Sequence, residues 1–317
     1  MGVDAATAGF LEAVRAQGGK PLAEQTPAEF REQVRAGSLE MAIASEALHD
    51  VQDRRIPGTG GTIPIRIYTP RPLAAGEALP IVVHFHGAGF VAGDLDTHDA
   101  IARYYAKHAD AIVVAVDYRL APEHRFPAAV DDSYAATLWA STHATEIHGD
   151  ATRLAVTGDS AGGNLAAVVS QLSRDRGEPP IAYQVLLYPT VDWSLGAQYP
   201  SHAAFGNGDY FMTSADMEWF RGQYLSDPEQ VKDPRASPIA NPTLARLPPA
   251  LVVTAGHDPL RDEGKAYADR LRDAGVPVEY RCFDQTVHAF VSFAKALPAG
   301  AEALSFIASR MRAALHA

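Results

Sequence analysis

Eight short runs rich in Val, Ile, Leu and aromatic residues punctuate the chain, near 49–55, 62–68, 81–86, 111–117, 153–158, 183–188, 250–255 and 277–283. Each has the length and composition of a β-strand. Gly58, Gly60 and Gly61 separate the first two and predict a hairpin. This glycine cluster lacks the Lys-Ser/Thr ending of a phosphate loop and reads as a turn. Beyond it, strand-like runs alternate with helical stretches near 98–109, 127–142, 161–174, 262–274 and 299–315. That alternation predicts an α/β fold: an eight-stranded, mostly parallel sheet with helices on both faces. Sites in such sheets form outside the carboxyl ends of the strands, so the residues just after each strand are where chemistry is expected.

Two segments break the alternation. Residues 1–45 are helical and amphipathic in pattern, with Phe10, Leu11 and Val14, then Phe30 and Val34. Residues 191–245 carry no buried-strand pattern but many aromatics: Trp193, Phe205, Tyr210, Phe211, Trp219, Phe220 and Tyr224. Both are expected to fold over the carboxyl edge as a lid; the alternative is that they pad the flank of the core. The first helix lacks the basic face of a membrane-surface helix. The expected organisation is therefore 1–45 as one part of a helical cap, 46–190 as the first part of the core, 191–245 as a cap insertion and 246–317 as the rest of the core.

Charge narrows the partners. A formal net charge of −11 repels phosphate backbones and anionic lipid surfaces, which argues against a nucleic-acid partner and against stable membrane association. No apolar run is long enough to span a bilayer. The N-terminal MGVDAATAGF has no basic region followed by an apolar stretch, and Ala6 stands where a myristoylation signal has Ser or Thr. The expected location is the cytoplasm. A single cysteine, Cys282, supports neither an intrachain disulfide nor a thiolate zinc site, and its strand-like surroundings predict a buried structural residue.

The sharpest chemical signal is Gly158-Asp159-Ser160-Ala161-Gly162, directly after the strand-like 153–157 and before a helical stretch. It matches G-x-S-x-G on a strand-to-helix turn. A serine on such a turn adopts a strained backbone, and glycines two before and two after relieve the crowding. The turn sets the hydroxyl at a helix N-terminus, which favours developing negative charge. A serine hydroxyl needs a positioned base. In this arrangement the acid and then the histidine follow the serine along the chain. Asp258 lies just past the strand near 250–255, and His288 just past the strand near 277–283. Asp262 and Glu263 are explained as acids in a first helical turn. His257 precedes the acid and so is a poor base, and Asp284 is too local to His288 to be the first choice.

Acyl transfer also needs backbone N–H groups aimed at a tetrahedral oxyanion. In residues 81–93, IVVHFHGAGFVAG, a strand ends in His86-Gly87-Ala88-Gly89. Ala161 is one expected donor and the His86-Gly87-Ala88-Gly89 loop supplies the others, with His86 and Gly87 supporting the loop. His84 and His86 share a strand face, but no cluster of further ligands accompanies them, and no metal is expected.

Taken together, these motifs resemble the hormone-sensitive-lipase family of α/β-hydrolases, in its bacterial carboxylesterase branch. The resemblance runs from about residue 50 to 317. It rests on His86-Gly87-Ala88-Gly89, Asp117-Tyr118-Arg119-Leu120-Ala121-Pro122-Glu123-His124, Gly158-Asp159-Ser160-Ala161-Gly162-Gly163, Asp258-Pro259-Leu260-Arg261-Asp262-Glu263-Gly264 and His288-Ala289-Phe290. It implies Ser160 as nucleophile, His288 as base, Asp258 as its orienting acid, Ala88, Gly89 and Ala161 as the oxyanion donors, and a cap built from 1–45 and 191–245. It also implies a structural role for 117–124 and no cofactor. The expected activity is hydrolysis of short- to medium-chain carboxylic esters, with Phe205, Tyr210 and Phe211 lining the substrate pocket and a homodimer as a compatible assembly. A lactonase, arylformamidase or amidase would use the same machinery. A small-molecule receptor on this scaffold, as in the plant gibberellin receptors, would have lost the histidine. Two departures stand out. The family usually has Gly where this chain has Ala88, and often Gly where it has Ala289. If the backbone at residue 88 is left-handed, alanine there costs roughly 1–2 kcal/mol.

Overall fold

The computed structural model describes residues 2–196 and 198–317. Its strands are β1 (Asp50–Gly58), β2 (Gly61–Thr69), β3 (Leu79–Phe85), β4 (Ile112–Val116), β5 (Gly149–Asp159), β6 (Tyr183–Leu187), β7 (Ala250–His257) and β8 (Val278–Val287). They form one sheet in the order β1-β2-β4-β3-β5-β6-β7-β8. The β1/β2 hairpin turns at Thr59-Gly60, as the glycine cluster predicts, and β2 runs antiparallel to β4. All remaining pairs are parallel.

The helices are α1 (Ala5–Gln17), α2 (Pro27–Met41), α3 (Asp99–Ala109), α4 (Ala128–Thr142), α5 (Ala161–Arg176), α6 (Pro200–Phe205), α7 (Ser214–Tyr224), α8 (Arg261–Asp273) and α9 (Pro298–Leu315). Strand periodicity divides the core. Ile81, Val83 and Phe85 of β3 join Val114 and Val116 of β4 in one apolar layer with Val130 of α4, Leu165 of α5 and Leu271 of α8. Val82, Val113, Leu251 and Val253 face the other way, onto Tyr105 of α3, Leu304 and Ile307 of α9, and Phe10 and Leu11 of α1. Burial on both faces explains why β3, β4 and β7 read as continuous apolar runs rather than alternating ones.

The two irregular segments behave differently from each other. In the first, α1 buries Phe10 and Leu11, but α2 buries no residue. A capping box between Thr26 and Glu29, with Pro27 in the first turn, starts α2. Arg31 then ties it down: its Nε donates to Val91 O (2.8 Å), and its Nη atoms reach Ala121 O (3.0 Å) and the Glu123 carboxylate (2.6 Å). In the second, residues 191–245 contribute α6, α7 and two 3₁₀ turns and, among the described residues, no strand.

Two expectations need correction. β8 runs four residues further than its apolar pattern suggests, because a register shift between Ala255 and His257 keeps it paired with β7 as far as Val287. Cys282 lies on β8 as expected but is only half-buried, since β8 is an edge strand. Burial still pushes its thiol pKa up to about 11, the wrong direction for a nucleophile. Among the described residues, no helix is long and apolar enough to cross a membrane.

Candidate active site

β5 ends at Asp159 and α5 begins at Ala161, leaving Ser160 alone on the turn with φ 54° and ψ −115°. The turn is held by Ser160 N donating to Leu187 O at the end of β6 (2.8 Å) and by Asn164 N donating to Ser160 O (3.0 Å). The flanking glycines are sterically required. A Cβ on Gly162 would strike the carbonyl oxygens of Phe85 and His86, and one on Gly158 would strike the Gly162 carbonyl. The strand-to-helix turn thus presses directly on the end of β3.

Asp258 follows β7 and His288 follows β8, so the sheet brings both to the same carboxyl edge as Ser160. His288 Nε2 lies 2.9 Å from Ser160 Oγ, and His288 Nδ1 lies 2.7 Å from Asp258 Oδ2. Asp258 is fully buried, and its other oxygen accepts the Leu260 N–H (2.8 Å). A carboxylate beside Nδ1 assigns the proton to that nitrogen and leaves the Nε2 lone pair facing the serine hydroxyl. The His288 ring stands edge-on to Tyr188, with centroids 5.0 Å apart. The competing acids are elsewhere. Asp284 is exposed, and Asp262 accepts from Ser201 N (2.8 Å) and pairs with Arg261 (2.8 Å).

The His86–Gly89 loop follows β3, next to β5 in the sheet. Ala88, Gly89 and Phe90 take successive positive φ angles of 78°, 66° and 64°. This left-handed turn closes with Val91 N and Ala92 N donating to Ala88 O (3.2 and 3.1 Å). Among the described residues, the Ala88 and Gly89 amides have no hydrogen-bond partner. Ala161 N–H belongs to the first turn of α5, where intrahelical acceptors are missing. The loop after β3 and the first turn of α5 thus carry three amides without an acceptor, the kind of donor a developing oxyanion needs.

A family described as having the α/β-hydrolase fold matches residues 82–292. The chain belongs to that α/β-hydrolase family, in its hormone-sensitive-lipase branch. It is 47% identical over 281 residues to the carboxylic ester hydrolase LipN of Mycobacterium tuberculosis, covering 86% of this chain and 73% of that one. It is 44% identical over 298 residues to the carboxylesterase NlhH of the same organism, covering 92% of each. The structure resembles that of a hyperthermophilic esterase from Pyrobaculum calidifontis with a TM-score of 0.93 and 43% identity, over 99% of both chains.

Beneath the loop this hydrolase carries a buried polar layer that its sequence does not advertise. His86 stacks on Tyr118 (4.3 Å) and sets Nδ1 2.9 Å from Gly87 O, while Tyr118 Oη donates to His86 O (2.7 Å). Burial holds the His86 pKa down at about 4 and the His84 pKa at about 3. His86 is thus neutral and uses Nδ1–H as the donor. Asp159 is buried too. Burial, the largest single influence, raises its pKa, but the neighbouring histidines, His98 first and then His84 and His86, together outweigh it and leave it lowered overall. Among the described residues, no group of three or more His, Cys, Asp or Glu side chains is arranged to hold a metal.

The aromatics named for the pocket divide. Phe205 and Tyr210 close on the His257 ring (5.2 and 5.0 Å). Phe211 packs on Phe10 and Phe293 (5.9 and 5.0 Å). The ring set against the loop is Phe220, which occupies the space a Gly89 side chain would need. Phe220 meets Phe30 (5.5 Å) and Trp219 (5.4 Å), so both irregular segments supply this wall. Glu263 also does more than balance a helix dipole. It is fully buried, accepts the Val191 N–H (2.7 Å) and contacts His202 (2.9 Å), fastening the start of 191–245 to α8.

Proposed function

We propose that this α/β-hydrolase is a serine carboxylesterase acting on short- to medium-chain carboxylic esters through an acyl-enzyme. The observation that carries the reading is the unbroken line of hydrogen-bond distances from Ser160 Oγ through His288 to the buried Asp258 carboxylate. His288 Nε2 takes the serine proton as Oγ attacks the ester carbonyl. Asp258 holds the imidazole tautomer and offsets the positive charge that forms. The Ala88, Gly89 and Ala161 amides receive the oxyanion. The alcohol leaves with the proton from His288, and water repeats the cycle on the acyl-enzyme. This chemistry calls for no metal or organic cofactor. The relatives named above as esterases support the reaction class.

Residues 1–45 and 191–245 form the cap in this reading. The Phe30–Trp219–Phe220 wall over Gly89 supports a narrow site and a limit on acyl length. The partner is a small ester and the location cytoplasmic. The open edge of β8 is the surface on which a second copy would dock if the protein dimerises.

The test is a hydrolysis panel of p-nitrophenyl esters from acetate to laurate, run beside Ser160→Ala. The variant is expected to lose a factor of about 10⁴ or more in kcat while its thermal unfolding is unchanged. Wild-type-like turnover would refute the assignment.

A further inference from the structure

We infer that His98 is a positioning residue for the oxyanion loop, its Nε2 accepting the Gly87 N–H beside the nucleophile turn. The inference rests on the reading of residues 86–89 as that loop. His98 comes from Leu95-Asp96-Thr97-His98-Asp99, a stretch no catalytic motif uses, and sits immediately before α3. It is 5% exposed and Asp159 4%, so each must find its polar partners inside the protein.

Proton bookkeeping orients the ring. The Thr97 hydroxyl donates to Asp94 O (2.9 Å) and accepts from Asp94 N (2.9 Å). Its single proton is engaged, so His98 Nδ1, 3.0 Å away, is the donor in that contact. Nε2 is left as the working end. With its lone pair free it accepts the Gly87 N–H, which is aimed at it from 3.4 Å. Asp159 Oδ1 lies 3.4 Å from the same ring nitrogen and has no hydrogen-bond partner among the described residues. The carboxyl group also fills the space a Gly87 side chain would occupy, so the three groups are in close contact.

Their places in the chain give the contact its meaning. Asp159 directly precedes Ser160, and Gly87 directly precedes Ala88. The Gly87 carbonyl and the Ala88 N–H share one peptide plane and point in opposite directions. His86 Nδ1 holds that plane by its oxygen, and His98 holds the same residue by its nitrogen. The aim of the Ala88 donor is therefore fixed from two sides. A misaimed oxyanion donor costs transition-state stabilisation and leaves ground-state binding intact.

The test is a series at residue 98 in the full chain. His98→Leu removes the acceptor that Nε2 offers the Gly87 N–H. Its kcat is expected to fall about ten-fold or more with KM within about two-fold, and inhibition by benzeneboronic acid, which forms a tetrahedral adduct, should weaken in proportion. His98→Gln offers a carbonyl acceptor at similar reach and is expected to stay within about three-fold of wild type, whereas His98→Asn is too short and should behave like Leu. Wild-type kcat in both Leu and Asn, or a loss confined to KM, overturns the inference. If Leu does not fold, equal kcat in Gln and Asn overturns it. Ser160→Ala is the control. Turnover there overturns the esterase reading and this inference with it, while an inactive Ser160→Ala beside a flat His98 series overturns this inference alone.

Discussion

Ala88 and Ala289 sit at φ 78° and φ 62°, where an L side chain is strained and glycine is not. The strain costs roughly 1–2 kcal/mol per alanine, and glycine's greater freedom in the unfolded chain returns roughly 0.5–1 kcal/mol of that. Ala88→Gly and Ala289→Gly are therefore each expected to stabilise the fold by about 0.5–1 kcal/mol, an upward shift in Tm of about 1–3 °C for a chain of this size. Thermal unfolding checks this, and a lowered Tm in both variants would show that the neighbouring packing uses the methyl groups. Ala88→Gly is also expected to keep its kcat, because the donor at that position is the backbone amide. Both positions are visible in the sequence as alanines where glycine is usual; the cost depends on a backbone angle that only the folded loop reveals. Ser160 shares the same left-handed strain at φ 54°, but there the flanking Gly158 and Gly162 betray it in the sequence.

At the scale of elements, α2 and α7 converge on the candidate oxyanion loop through Phe30, Trp219 and Phe220. Phe220→Ala opens space directly beside Gly89. The ratio of kcat/KM for p-nitrophenyl octanoate over acetate is expected to rise about ten-fold or more, since one methylene in an apolar pocket is worth ~10–200-fold. An unchanged ratio would show that acyl chains run elsewhere. Deleting residues 1–45 removes Phe30 as well, but it also strips Phe10 and Leu11 from the core, so the single substitution is the cleaner probe. The strands and the five helices that cover the sheet were legible because burial on both faces leaves continuous apolar runs and one-sided stripes. The partner of Phe220 was not, because nothing in an aromatic-rich stretch says which ring meets a loop more than a hundred residues away. The buried layer was hidden for a related reason. Asp159 and His98 are polar residue types that usually face solvent, and only the three-dimensional packing of β3, β5 and the turn before α3 shows them enclosed together.

For the molecule as a whole, that enclosed layer predicts how the protein responds to acid. Burial first, with His98 close by, lowers the pKa of His84 to about 3 and of His86 to about 4, from an ordinary imidazole value of 6.5. The unfolded chain binds protons on both rings below 6.5, whereas the folded one resists until much lower pH. Their contribution to stability is therefore fully present above pH 6.5 and is lost as pH falls through 6.5 toward 4 and 3. Asp117 acts in the opposite sense. Burial, followed by the nearby Asp94 charge, raises its pKa to about 6, so its contribution is present below the usual value of 3.8 and lost as pH rises through about 6. Two imidazoles against one carboxyl give a net loss on acidification, about 2 kcal/mol per imidazole between about pH 7 and pH 5. Urea unfolding at those two pH values checks it, and because Asp117 offsets part of the imidazole loss, His84→Leu is expected to remove most of the net difference. Equal stability at both pH values would mean that the layer admits protons freely while folded.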